Sequence, residues 1–225
     1  IAGGDQANYV RFWKGTPLNE ALNQHVRDGK PLGGTSAGLA IMGAYSYGAM
    51  DGGSLVSEEA LKDPMGPAVT LVDDFLELPL LPAHQVITDS HFGARDRLGR
   101  LITFVARIAK EQSSAEIKGI GVDEYTALCI DGEGVGKVFT GNGGSAWLVV
   151  PQALLNVKAK SDPQAYDEFM KGRLEAGQVL DFPGFTVTGI GAGSRLILPG
   201  FTVESPSFRL AADVVHGRLV VHPLD

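Results

Sequence analysis

Cysteine is nearly absent: of 225 residues only Cys129 carries a thiol. A lone thiol excludes an intrachain disulfide and a multi-cysteine metal site. It sits in the apolar run Thr126-Ala127-Leu128-Cys129-Ile130, so buried packing is expected of it. Basic residues are also in deficit, 19 Lys and Arg against 26 Asp and Glu, for a net charge of −7. Phosphate neutralisation needs a basic surface, so this balance argues against a non-specific nucleic-acid binder, though not against a local basic pocket. No stretch is long and apolar enough to span a membrane as a helix. His and acidic residues do not cluster at ligand spacing, so neither a metal nor a cofactor is expected. The opening Ile1-Ala2-Gly3-Gly4-Asp5-Gln6 has no Met and no signal peptide, and reads as the end of a strand running into a glycine turn. An upstream segment or separate chain is expected to complete the fold and to hold any targeting signal, which leaves the compartment open.

Hydrophobic residues make up 44% of the chain, enough for a sizeable core, and the length suits one α/β domain with a small appendage. The core is expected over 1–150, with an extension or small lobe over 151–225. The stretch that organises the rest is Leu32-Gly33-Gly34-Thr35-Ser36-Ala37-Gly38. Its Gly34-x-Ser36-x-Gly38 spacing suits a nucleophile elbow, a sharp turn from a buried strand into a helix. A side chain at either glycine would crowd the turn. The turn lifts the Ser36 hydroxyl from the sheet edge and aims the Ala37 N–H where an oxyanion would form. The pattern is short and recurs by accident, so its flanks matter. Before it, Thr16 caps a helix with Pro17 at its first position, Leu18, Leu22 and Val26 repeat at helical spacing, and Asp28-Gly29 ends it. After it, Leu39, Ala40 and Met42 continue a small-residue helix.

Further along, Ala7 to Lys14 reads as a short helix, Asp51-Gly52-Gly53 as a turn, and Ser57 to Leu61 as one helical turn. Thr70 to Leu81 fits neither strand nor helix uniquely. Val86 to Phe92 is a strand arriving at polar residues. Ala94 to Glu111 is the clearest helix, with Leu98, Leu101, Ile102, Val105 and Ile108 on one face and Arg95, Arg97, Arg100, Arg107 and Lys110 off it. Ile117 to Val122 is a strand leading to Asp123-Glu124. Thr126 to Ile130, Val135 to Phe139 and Ser145 to Val150 look like consecutive strands joined by turns. Asp162 caps a short helix running to Leu174, and Phe185 to Ile190, Ser194 to Leu198 and Arg218 to Val221 read as strands.

A serine hydroxyl needs a base to take its proton, and the base works best when a third group holds its tautomer. Of the five histidines, His91 is the best placed, at a strand end in a polar segment. His25 lies on a polar helix face, His84 follows Pro82 and reads as structural, and His216 and His222 look peripheral. For the third group Glu124 and Asp89 compete. Glu124 ends a glycine-bracketed strand, whereas alternation puts Asp89 on the same strand face as His91. Arginines near a helix N-terminus are unfavourable with the dipole, a small argument that at least one of Arg95, Arg97 and Arg100 is used for binding. Guanidinium groups grip carboxylates in a two-pronged way, so the pocket suits a substrate with free carboxylates.

Four motifs in order, Gly3-Gly4-Asp5-Gln6, Gly33-Gly34-Thr35-Ser36-Ala37-Gly38, Asp89-Ser90-His91-Phe92 with the three arginines, and Gly119-Ile120-Gly121-Val122-Asp123-Glu124-x-Thr126-Ala127, resemble cyanophycinase and its relative peptidase E, an aspartyl dipeptidase. The resemblance implies an α/β fold of the class I glutamine-amidotransferase kind, a mostly parallel sheet flanked by helices. Its N-terminal strands would lie upstream of this chain, with a β-rich C-terminal extension beyond. It implies Ser36 as nucleophile, His91 as base and Glu124 orienting it. The Ala37 and Gly4 N–H groups would form the oxyanion hole, and Gln6, Asp89, Ser90, Arg95, Arg97 and Arg100 the substrate pocket. It implies a homodimer and a peptide substrate, such as cyanophycin cut to β-Asp-Arg units. The resemblance departs at Ser90, where cyanophycinases commonly have Gln. An esterase on another α/β fold is the second reading; it would need the order Ser, acid, His, which Ser36, His91 and Glu124 do not follow, and would draw its base from His216 or His222. A pocket that binds aspartyl peptides without turnover is the third reading.

Overall fold

The computed structural model describes residues 1–51, 53–81, 85–157 and 162–224. The middle of the expected turn at Gly52, and Pro82 and His84, lie outside the described residues. The chain opens with helices α1 (Gln6–Trp13) and α2 (Pro17–Arg27). Asp5 caps the first, accepting from the Ala7 N–H at 2.9 Å, and Thr16 caps the second. Helix α2 turns an unexpected face inward: Leu18 is exposed, while Asn19 and Asn23 are buried. Asn19 donates to the Phe75 carbonyl and Asn23 accepts from the Glu77 N–H at 3.0 Å, so amides join the half-buried Leu22 in pinning the helix.

Strands β1 (Tyr45–Tyr47), β2 (Leu71–Asp73), β3 (Val86–Asp89), β4 (Lys118–Val122), β7 (Ala146–Val150), β8 (Phe182–Ile190), β11 (Phe208–Val215) and β12 (Arg218–Pro223) form one sheet, in the order β12-β11-β8-β7-β4-β3-β1-β2. Among the described residues only β1–β3 and β3–β4 pair in parallel, so the mostly parallel sheet expected is corrected to a mixed one. The physical reason is the late antiparallel set. Strands β7, β8, β11 and β12 fold back on one another, and β11 turns into β12 at His216-Gly217, whose φ values of 47° and 74° are those of a two-residue hairpin. The sheet therefore runs on across residue 150. Strand β11 escaped the sequence reading, although Phe208, Leu210, Ala212 and Val214 alternate along it. β5 (Thr126–Ile130), β6 (Val135–Thr140), β9 (Arg195–Ile197) and β10 (Thr202–Glu204) form a second, four-stranded sheet. Its outward face is solvated, and alternation puts Cys129 there, exposed, which corrects the buried thiol expected.

Alternation along each central strand feeds two cores. Ile87 and Val149 join the α5 side, while their neighbours Val86 and Leu148 join the side roofed by Val138, Leu196 and Leu198 of the second sheet region. Helix α5 (Leu98–Gln112) lies on the first face, packed against α4 (Ser57–Lys62). It starts four residues later than the sequence predicts, because Asp96 takes a left-handed φ of 48°. The Arg100 N–H then donates to the Ser57 hydroxyl at 3.1 Å, so a side chain of α4 caps α5 from outside.

Short helices α6 (Gln152–Asn156) and α7 (Pro163–Met170) close the same core. The buried Tyr166 phenol of α7 donates to the Ala109 carbonyl near the end of α5. Burial, and next the Asp167 charge, push this phenol from 10.0 up to about 12. A folded value above the unfolded one means stability that is complete below about pH 10 and lost as pH rises through the folded value. Tyr166→Phe should therefore lose less stability than the parent between pH 9 and pH 11.5, read from denaturant midpoints; equal losses would refute the assignment.

Candidate active site

The elbow forms where the fold leaves no room for side chains. An added Cβ on Gly34 would lie 2.2 Å from the Gly38 carbonyl oxygen, and one on Gly38 would lie 2.5 Å from that of Ile1. Between them Ser36 holds φ 53° and ψ −116°, a conformation that costs a non-glycine residue about 1–3 kcal/mol and that clusters at functional sites. Helix α3 (Ala37–Ala40) follows at once. The buried strand expected before the turn does not form, and only two backbone hydrogen bonds hold this segment to the start of the chain: the Ile1 nitrogen donates to the Gly33 carbonyl at 2.5 Å, and the Thr35 N–H to the Ile1 carbonyl at 3.1 Å.

His91 and Glu124 meet because β3 and β4 are parallel neighbours whose carboxyl ends share one sheet edge. Asp89 pairs in register with Gly121, and the Phe92 N–H reaches the Val122 carbonyl at 3.1 Å. His91, at φ 49°, then turns its ring between Ser36 and Glu124. Its Nδ1 lies 2.6 Å from Glu124 Oε1 and its Nε2 lies 2.9 Å from Ser36 Oγ. An ionised carboxylate only accepts, so Nδ1 carries the proton and Nε2 accepts from the serine hydroxyl. A hydroxyl bonded to an imidazole whose far nitrogen is held by a carboxylate is the arrangement that makes serine a nucleophile. Asp123 fixes the frame, accepting the Gly93 N–H at 2.8 Å, the Trp147 indole N–H at 3.0 Å and the Ser145 N–H at 2.9 Å.

Of the two competing acids, Glu124 is the one in hydrogen-bond contact with His91, and Asp89 is buried. Asp89 is 1% exposed and receives Arg100 Nε at 2.7 Å and Nη2 at 2.5 Å. Arg100, also 1% exposed, donates on to the Leu55 carbonyl at 2.9 Å and lies over the Tyr47 ring. Asp89 and Arg100, expected to contact a substrate directly, are therefore buried against each other, and neither lines the larger cavity beside Ser36. A guanidinium in a helical pattern reads as a solvated face, and only the buried carboxylate opposite shows otherwise. Arg97 bridges the two levels, donating to the Ser90 carbonyl at 2.7 Å and to Asp89 at 3.4 Å. Burial, then the Arg100 charge, pull its guanidinium down to about 10, so it remains cationic at neutral pH.

Two cavities open on the Ser36–His91 pair, of about 470 Å³ and 330 Å³. The larger holds Gly4, Gln6, Ala37, Ser90, Arg95 and Arg97, six of the positions expected in the oxyanion hole and substrate pocket. Arg11 and Ser54 line it too, and sequence reading missed both. Arg11 sits one helical turn after Ala7, which also lines the cavity but carries no chemistry that would have marked it in the sequence. Ser54 accepts from Arg97 at 3.3 Å and from Arg100 at 3.1 Å, and nothing in its glycine-rich surroundings signals that. Among the described residues no group of three or more His, Cys, Asp or Glu side chains is placed to hold a metal ion.

A serine, a histidine and a carboxylate thus lie in line at the mouth of an arginine-lined cavity. The chain belongs to peptidase family S51, whose model matches residues 1–138. It is 35% identical over 155 residues to the cyanophycinase of Trichormus variabilis, a match covering 68% of this chain and 45% of that protein. The cyanophycinase of Geminocystis herdmanii is 38% identical over 127 residues, covering 56% and 40%, and that of Synechococcus elongatus 35% over 153 residues, covering 68% and 41%. The chain thus spans less than half the length of the curated relatives it matches.

Proposed function

We propose that this chain carries the catalytic centre of a serine exopeptidase that hydrolyses aspartyl peptides, with cyanophycin cut to β-Asp-Arg dipeptides as its reaction. The observation that carries this reading is the Ser36–His91–Glu124 line, at 2.9 and 2.6 Å, facing a cavity lined by Arg11, Arg95 and Arg97. Ser36 Oγ attacks the scissile carbonyl while His91 Nε2 takes its proton, and Glu124 stabilises the imidazolium. The Ala37 and Gly4 N–H groups meet the oxyanion. The C–N bond breaks as His91 returns the proton to the leaving amine. Water, deprotonated by His91, then attacks the acyl ester, releasing the carboxylate and restoring Ser36. Arginines, with Gln6 and Ser90, hold the aspartate carboxylates.

The experiment is mass spectrometry of products after incubating the full protein with cyanophycin and with α- and β-aspartyl dipeptides, beside Ser36→Ala. The reading expects β-Asp-Arg from cyanophycin with the parent alone. Cleavage of small aspartyl dipeptides alone would keep the chemistry and move the substrate to that of an aspartyl dipeptidase. Equal turnover by Ser36→Ala would overturn it.

A further inference from the structure

Arg100 is buried and does not line the larger cavity, yet its guanidinium touches a residue that does. That residue is Ser54, exposed and lining the same cavity as Ser36, Arg95 and Arg97. Ser54 Oγ accepts from Arg100 Nη1 at 3.1 Å and from Arg97 Nη2 at 3.3 Å.

A serine hydroxyl has two acceptor lone pairs and one proton, and a guanidinium only donates. Both lone pairs of Ser54 are therefore occupied, and its proton can go to neither arginine. Among the described residues Ser54 makes no other side-chain hydrogen bond, so the O–H is left for whatever enters the cavity. Two cations on the oxygen polarise that bond and strengthen it as a donor. The arginines do not depend on Ser54 for their place. Arg100 also gives N–H groups to Asp89 and to the Leu55 carbonyl, and Arg97 to the Ser90 carbonyl.

We propose that Ser54 is a specificity-determining residue whose hydroxyl donates to one oxygen of a substrate carboxylate while Arg97 holds the other. The inference rests on the carboxylate-binding role proposed above for the larger cavity, and adds how that cavity tells a carboxylate from a neutral group of the same shape. With its lone pairs engaged, Ser54 only donates. A carboxylate offers an oxygen to it and another to Arg97. A carboxamide has one oxygen, so its NH2 must face either the hydroxyl or the guanidinium, and neither accepts. An unpaired polar group held in a site is costly, whereas a methyl ketone puts an inert methyl in the same place.

The test uses a short poly-aspartate peptide with arginine on its β-carboxyls, and a β-aspartyl dipeptide, with each free carboxylate replaced in turn by a carboxamide or a methyl ketone. Binding is read by calorimetry on Ser36→Ala, and turnover on the parent. At one carboxylate position the carboxamide should bind about tenfold more weakly than the ketone. That gap should close when Ser54→Ala is added and persist with Ser54→Thr, which keeps the hydroxyl. A gap absent at every position, or one that survives Ser54→Ala, overturns the proposal. Weaker carboxylate binding in Ser54→Ala with the gap unchanged overturns it too, because Ser54 would then only position Arg97. Peptides bound in the expected order but never cut by the parent would remove the hydrolase reading and leave the Ser54 contact standing, whereas cleavage without the gap would do the reverse.

Discussion

Ser36→Gly should be inactive and more stable than the parent. On the mechanism proposed above, the loss of turnover follows from removing the nucleophile of a unit whose members act together, a change of about 10⁴–10⁶ in kcat. The gain in stability follows from the backbone. Ser36 sits at φ 53° and ψ −116°, and glycine adopts such angles without steric cost. The relief, reduced by the larger entropy that glycine loses on folding, leaves a net gain of roughly 1 kcal/mol. Ser36→Ala separates the two effects: it loses the hydroxyl and keeps the strain, so it should be as inactive as Ser36→Gly but no more stable. Steady-state rates and denaturant midpoints of the three proteins check this. A glycine variant less stable than the alanine variant would show that the elbow is not strained.

Asp89→Asn carries the largest expected cost in stability. It leaves the Arg100 guanidinium, 1% exposed, without its counter-charge. Removing one partner of a buried ion pair costs about 3–5 kcal/mol. For a chain of this size each kcal/mol moves the melting temperature by about 2–4 °C, so a fall on the order of 10 °C is expected. The companion variant, Asp89→Leu with Arg100→Met, removes both charges and should recover most of the loss, because an apolar pair of similar volume often replaces a buried ion pair at little cost. The consequence reaches the active site through Arg97, which ties Asp89 to the Ser90 carbonyl, one residue before His91. A melting temperature within 2 °C of the parent in Asp89→Asn, an effect of about 1 kcal/mol or less, would refute the structural role given to the pair.

The site was legible where chemistry forces a local pattern. Gly34-x-Ser36-x-Gly38 announces a crowded turn, and the crowding is literal, with Gly38 against the Ile1 carbonyl. His91 and Glu124 could be named because polar residues that end two apolar strands converge when those strands are parallel neighbours. What was not legible depends on which surface an element meets. Arg100 and Leu101 are adjacent on α5, and both are buried, because the Asp89 carboxylate waits opposite the guanidinium. Cys129 lies in an apolar run, yet its strand belongs to a sheet with one solvated face. The mostly parallel sheet was what the family resemblance implied, and the late strands depart from it because β7, β8 and β11 pair antiparallel across long connections whose pairing no local signal specifies. Ser54 entered the site through two arginines 43 and 46 residues away in sequence.

The most direct test of the account is whether Ser36 is an activated nucleophile. The full protein, treated with a fluorophosphonate and analysed by intact mass and peptide mapping, should gain one phosphonyl group on the peptide containing Ser36, and His91→Ala should gain none on the same timescale. Labelling that spares Ser36, or that proceeds equally without the His91 imidazole, would contradict the account.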